Sequence, residues 1–562
     1  MNCFSAQQQR ELQSTLAKFW SLEALGIASD EEDKPLEKFS NSLTFDGQRY
    51  EVALPFRENH GMLADNYNHS HNRLKSLLKK LRNDPGTLVQ YDSIMREQVE
   101  SGVLEGVSDV TPGAGKVYYM PHLGVVRKDK DTTKLRVVYD ASSKVVGPSL
   151  NQCIYEGPSL LPEIFNILLG FRFYPIGITA DIEKAFLQIS VRQEDRDFLR
   201  VLWVDDIHAT VPKEVIMRFT RCVFGVASSP FHLNATLLYH LNKYEQENAS
   251  AVATLKRSLY VDDVTAGVDN VEEGFSFFQA SRSIMRSGGF NLRKWATNSK
   301  ELDGLITQNV STNQGEDDQT FASISTQNSQ CATGSEEQKV LGVPWNRESD
   351  ELKFRFEVFD EALNNERFTK RNVLSLIARN YDPLGLISPL FTPLKVAFQR
   401  LCMQGGSWDD EVASEEVNLV KGWLLQVKQV HEIGVPRYCL AFPKSQILSR
   451  QLIGFSDASM VAYGGSIYVR TESLEGVRSH LLVSKTKVAP LKKQSIPRLE
   501  LLGMLVLAKL LSSCLKVFPS HASCNVSLFS DSVTALYWVK SESKRYKRWV
   551  ERRVDTIRGL TT

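Results

Sequence analysis

Two adjacent aspartates, Asp262 and Asp263, lie in the run SLYVDDVTAG between apolar, β-prone flanks. Neighbouring carboxylates at a hairpin tip repel each other and destabilise the turn unless a cation neutralises them, so the pair points to a bound metal. Hard divalent ions take carboxylate, water and phosphate oxygens, which suits aspartates with no histidine beside them. A third acid, Asp181, closes the apolar run IGITAD and can join the pair if the two strands are neighbours. Two divalent ions held about 3.5–4 Å apart by such carboxylates support in-line phosphoryl transfer. Two aspartates in a turn are also an ordinary solvated hairpin, and the pair alone leaves that reading open.

A second acidic series lies further along. GFSDASMVAYGGSIY ends a strand-like run on Asp457, IPRLELLGMLVLAKLL puts Glu500 in the first turns of a helix, and LFSDSVTALYWV ends another strand-like run on Asp531. Strand ends and a helix start can converge on one edge of a sheet, where metal ions would activate water against a phosphodiester. Taken singly, each is an ordinary cap or surface acid.

The elements that must position these groups are legible in outline. The chain has 562 residues, of which 42% are hydrophobic, enough for three or four domains with cores of their own. With 67 basic and 66 acidic side chains there is no global electrostatic signature of nucleic-acid binding, so any such surface is local. The eight cysteines form no CxxC pair, which argues against a zinc knuckle or a disulfide framework and for a reducing, intracellular setting. No signal-peptide pattern or membrane-length apolar run appears, and a soluble protein with no membrane partner is expected.

Between Val117 and Asp140, VYYMPHLGVV and KLRVVYD read as a hairpin whose charged tip is RKDKDTT. Before it, Leu74, Leu77, Leu78 and Leu81 define one helix face, opposite Arg73, Lys75, Lys79, Lys80 and Arg82. ELKFRFEVFD alternates, placing Leu352, Phe354, Phe356 and Val358 on one strand face, and YDPLGLISP marks a turn. From Gln451 the order is three strands, helix, strand, helix, an α/β domain.

With these pieces in order, the sequence resembles reverse transcriptases. ADIEKAFLQI around Asp181 is similar to their first palm motif, FGVASSPFHLNATL to the second and YVDD to the third. KLRVVYDAS resembles their fingers strand and KVLGVPWN their primer grip. The phrases LRVVYDASS, LNQCIYEGPSLLP, FGVASSPFHL, NYDPLGLISPL and IPRLELLG resemble the Pol polyprotein of Pao/BEL-type long-terminal-repeat retrotransposons, from about Val52 to the end.

The resemblance implies an α+β and α/β multidomain fold: a right-hand polymerase with fingers, ferredoxin-like palm and helical thumb and connection, followed by an RNase H-like domain. The expected divisions are a lead-in or linker over 1–60 and fingers and palm over 61–345, with a flexible insertion at about 300–339. Thumb and connection would follow over 346–450, then an RNase H-like domain, C-terminally truncated, over 451–562. It also implies RNA-directed DNA polymerase activity with two Mg2+ or Mn2+ ions per active site. Asp181 and Asp262 would bridge both ions, assisted by the Ile182 carbonyl and supported by Asp263. Phe186 would be the ring that excludes a 2′-hydroxyl, unless it is simply core. Arg136, and by a gapped alignment Lys128, would meet the triphosphate. Gly225 would let the backbone approach the incoming base pair, with Phe224 beside it as packing. Asp457, Glu500 and Asp531 would be the RNase H acids and metal ligands. That family uses a fourth acid downstream, not found before Thr562, so impaired hydrolysis is expected.

Implied partners are an RNA or DNA template-primer, an RNA–DNA hybrid, deoxynucleoside triphosphates and other Pol or Gag products. The hybrid backbone would meet the basic run of Lys544, Arg545, Lys547, Arg548, Arg552 and Arg553. The implied setting is a cytoplasmic virus-like particle with access to the nucleus. Two alternatives stand beside this reading: a catalytically silent, nucleic-acid-binding remnant, and an aspartic peptidase, against which the absence of D-T-G and D-S-G argues.

Overall fold

A computed structural model describes residues 39–561 except 41, 59–60, 65, 108–115, 127–134, 313–336, 365–366, 519–523 and 542–545. Ile176–Ile182 is apolar along almost its whole length because it is buried on both sides. It lies between antiparallel neighbours Asp263–Val268 and Leu292–Thr297, and Leu259–Tyr260 flanks the former. Helices Ser229–Lys243 and Ala249–Ser258 precede the hairpin and helix Val271–Ser287 precedes the last strand, so this is the expected ferredoxin-like βαββαβ sheet. Asn270 caps that last helix by accepting from the Glu273 amide, and Phe277, Phe278, Ile284 and Met285 bury its inner face.

The hairpin before the palm is present as His122–Val126 and Leu135–Tyr139, with Arg136 opposite Val125. Its charged tip, including Lys128, lies outside the described residues. The lead-in reading of 1–60 needs correction from residue 39 on. Tyr50–Val52 pairs with Ser190–Val191, and Tyr50, Val52 and Leu54 are buried in the palm core. Alternation in QRYEVALPF therefore marked a genuine sheet strand.

The expected insertion at 300–339 also begins as structure. Lys300–Thr312 is a helix, because Leu302, Ile306 and Val310 recur every fourth residue and bury one face. Residues 313–336 lie outside the description. In ELKFRFEVFD the strand stops at Arg355; a 3-10 turn over Glu357–Phe359 then changes the period, burying Phe359 and leaving Val358 exposed.

The last domain has the expected element order. Its sheet runs Gly476–Val488, Ala462–Ser473, Ile447–Ala458, Asn525–Ser530, antiparallel except for the final parallel pair. Helix Ile496–Val517 packs across it, and Gly465 and Gly503 permit the approach. A Cβ at Gly465 would sit 3.0 Å from that of Leu507, and one at Gly503 would sit 3.2 Å from the Asp457 and Gly464 carbonyls.

No core boundary falls at residue 450. One cluster joins Phe165, Leu168 and Leu169 below the palm, the helices Lys370–Ala378, Ser388–Met403 and Ser414–Lys428, and Leu452, Ile467, Val483 and Leu507. Two wholly buried arginines tie these parts together. Arg437 pairs bidentately with Asp350 at 2.6 and 2.8 Å and donates to the Phe171, Tyr174 and Pro175 carbonyls. Arg172 donates to the carbonyls of Pro436, Arg437 and Leu482. Among the described residues no helix is long and apolar enough to cross a membrane.

Candidate active sites

The first site forms at one end of the palm sheet. Asp263 stands directly opposite Asp181 in the antiparallel ladder, which places their Cα atoms about 5 Å apart. Val261, with φ +55°, turns the chain so that the Asp262 carbonyl accepts from the Ile182 amide at 2.7 Å. Acids from two stretches of sequence are thus brought to one end of the sheet. Burial first, and then the charge of Asp181, raises the Asp262 carboxyl above its ordinary range; Lys294 and Arg136 oppose the rise. Arg136, on the fingers strand, therefore lies within electrostatic reach of this cluster.

Two basic residues that sequence reasoning missed complete the site. Arg293 Nε and Lys294 Nζ each lie 3.3 Å from Asp181 Oδ2, and Arg293 Nη1 lies 2.7 Å from Glu183. Consecutive strand residues ordinarily point to opposite faces. Here the ladder slips between Arg293 and Ala296, and Lys294 has φ +53°, so both cations reach one carboxylate. RK in NLRKWATN carried no signal of that bulge.

Phe186 is buried, on the 3-10 turn Ala185–Gln188, and its ring meets Phe224 edge-on at 4.5 Å between centroids. Phe224 is 60% exposed, so it covers Phe186 while its other side stays open to solvent. Gly225 has φ +102°, and a Cβ there would collide with the Tyr139 carbonyl. The close approach it permits in this structure is to the fingers strand; Asn151 fixes it by donating to the Gly225 carbonyl at 2.9 Å.

The second site forms at the strand ends of the last sheet. Ser456 pairs with Ser530, so Asp457 and Asp531 leave adjacent parallel strands side by side. Helix Ile496–Val517 lowers Glu500 onto them where Gly503 allows contact. One oxygen from each of Asp457, Glu500 and Asp531 lies within 4.8 Å of the others, the only such group of acids, histidines or cysteines among the described residues. The palm aspartates, with Asp181 engaged by two cations, do not close to that degree.

Glu500 is 4% exposed, and its Oε2 is shut off from solvent with no hydrogen-bond partner. Burial, then Asp457 and Asp531, raises its carboxyl above the ordinary glutamate range. A buried, unpartnered carboxylate oxygen aimed at two more acids fits a divalent cation, which would satisfy all three.

A ferredoxin-like sheet with aspartates at its hairpin tip, followed by an RNase H-like sheet with two acids at its strand ends and a third on the helix packed across it, has the order of parts of the reverse transcriptase–RNase H class of fold. Residues 369–532 match the family model described as Pao retrotransposon-like RNaseH-like domain. The match contains Asp457, Glu500 and Asp531, and it also takes in the helices before residue 450 that share their core. Among solved structures, the foamy viral protease-reverse transcriptase dRH in complex with double-stranded DNA is similar at 14% identity and TM-score 0.49, over 99% of this chain and 77% of its own. The foamy viral protease-reverse transcriptase in complex with RNA/DNA hybrid is similar at 12% and 0.48, over 98% and 59%. Comparison with curated proteins returns no match.

Proposed function

We propose that the chain is an RNA-directed DNA polymerase of a retrotransposon, with an RNase H-like domain attached. The observation that carries this is the register of Asp181 against Asp263, with Asp262 turned beside them. Asp181, Asp262, Asp263 and the Ile182 carbonyl would hold the polymerase ions; Asp457, Glu500 and Asp531 would hold the RNase H ions. Bound there, Mg2+ or Mn2+ would supply an activated hydroxyl or water and neutralise phosphate charge.

The chain's own groups do the rest. Arg136, an exposed guanidinium within electrostatic reach of Asp262, orients a triphosphate by bidentate contacts. The Phe186–Phe224 pair forms an apolar floor against the sugar, with no acceptor for a 2′-hydroxyl. Deoxynucleoside triphosphates and a template-primer are the substrates.

Primer extension on poly(rA)/oligo(dT) with Mg2+ or Mn2+ tests the proposal. Incorporation that disappears in Asp262→Asn supports it. Duplex binding without synthesis supports instead a silent remnant, the reading favoured by the engagement of Asp181 with Arg293 and Lys294.

A further inference from the structure

Beside the RNase H-like acids, two guanidinium groups share one indole. Arg553 lies 3.7 Å and Arg498 5.2 Å from the centre of the Trp549 ring. Arg498 precedes Glu500 by two residues on the same helix. Trp549 packs on Ala489, Leu499 and Leu502, the small cluster that also receives Ala458, the neighbour of Asp457. Arg498 therefore shares the Glu500 helix, and Arg553, on helix Arg548–Thr561, reaches the same neighbourhood through Trp549.

Among the described residues neither arginine has a carboxylate partner. Arg498 Nη1 has only the Gln494 side chain at 3.4 Å, and Arg553 Nη1 donates to the Trp549 carbonyl at 2.8 Å. Arg553 Nε is shut off from solvent with no acceptor at all. Burial lowers the Arg553 guanidinium from its ordinary range; Tyr463 opposes this, and the Arg498 charge adds a smaller lowering. Elsewhere in this chain the wholly buried Arg437 is neutralised by Asp350, and Arg172 is satisfied by three backbone carbonyls. Two uncompensated like charges held against one ring cost stability, and an anion between them would offset that cost.

We infer that Arg498 and Arg553, held on Trp549, bind a backbone phosphate of the nucleic-acid strand presented to Asp457, Glu500 and Asp531. A planar guanidinium fork suits phosphate oxygens, and stacking on indole fixes its direction before the strand arrives. This rests on the RNase H reading and adds to it the place where the substrate backbone is gripped. The site reads charge and spacing, so it discriminates little between sequences.

The test is the salt dependence of binding by the full chain to a short fluorescein-labelled RNA–DNA hybrid, followed by anisotropy. Each phosphate contact contributes roughly 0.9 to the slope of log K against log salt. Arg498→Gln with Arg553→Gln is expected to lower that slope by about one and to weaken binding several-fold at low salt. Arg498→Lys with Arg553→Lys keeps the charge and is expected to hold most of the slope. An unchanged slope in the Gln pair, in protein that melts like the unaltered chain, overturns the proposal. So does an equal loss in both pairs, which would assign the arginines to packing on Trp549. Failure of the underlying RNase H reading appears separately, as no hybrid cleavage and no Mn2+ binding at the acid trio while the slope effect persists.

Discussion

Glu500 shows how one side chain can be costly to the fold and useful to the site. A carboxyl raised in the folded state holds its proton more tightly there than in the unfolded chain. Metal-free protein therefore loses stability as pH rises from the ordinary glutamate range through the raised value. A divalent ion needs the charged form, so its affinity weakens as pH falls through that same value. Glu500→Gln should accordingly stabilise the metal-free chain at neutral pH by about 1–2 kcal/mol and abolish any rise in Tm on adding Mn2+. Thermal unfolding with and without Mn2+ checks both halves; a Tm rise kept in the variant would remove Glu500 from the ligand set. At the other site, Phe186→Val opens the floor beneath the sugar. Incorporation of ribonucleotides relative to deoxynucleotides should rise about 10–200-fold, measured by competitive primer extension.

At the scale of elements, glycines set how closely strands and helices meet. Gly503 brings helix Ile496–Val517 against the Asp457 and Gly464 carbonyls, with room for a Cβ only at 3.2 Å from each. Gly503→Val must lift the helix and Glu500 with it. The expected cost is about 1–3 kcal/mol, with Mn2+ binding weakened in parallel, readable by denaturant melts and titration calorimetry. Gly225→Ala combines an unfavourable φ with a collision at the Tyr139 carbonyl, so the fingers strand and Arg136 would shift away from Asp262. Deoxynucleotide KM should rise more than kcat falls; a change in kcat alone would show that Arg136 does not depend on this contact.

Across the whole molecule, Arg172 and Arg437 make the palm, the connection and the RNase H-like sheet one mechanical unit. A buried ion pair such as Arg437–Asp350 adds little stability when intact but is costly to break, because the remaining charge is left without a partner. Arg437→Met strands Asp350, and the predicted loss is roughly 3–5 kcal/mol. Arg437→Met with Asp350→Leu should recover much of it. Calorimetry of the single and double variants tests this, and no recovery in the pair would mean the carbonyl contacts matter more than the charge.

How much of this could be read without coordinates differs by kind of signal. YVDD, the strand IGITADI, the D, E, D series and the order of the last domain's elements depend on local spacing and apolar pattern, and were legible from the residues themselves. So was the turn at YDPLGLISP, where Asp382 accepts from the Leu386 and Ile387 amides. Other features lack a local signature. The bulge that turns Arg293 and Lys294 onto one carboxylate is a backbone event imposed by neighbouring strands. The Arg172–Arg437 clamp joins residues 265 apart in sequence. The helix over Lys300–Thr312 hid in a polar composition because only three apolar residues anchor it. Side-chain chemistry and periodicity are properties of the chain alone; which charges become partners, and which remain uncompensated beside Trp549, was decided when packing excluded water from some of them and not from others.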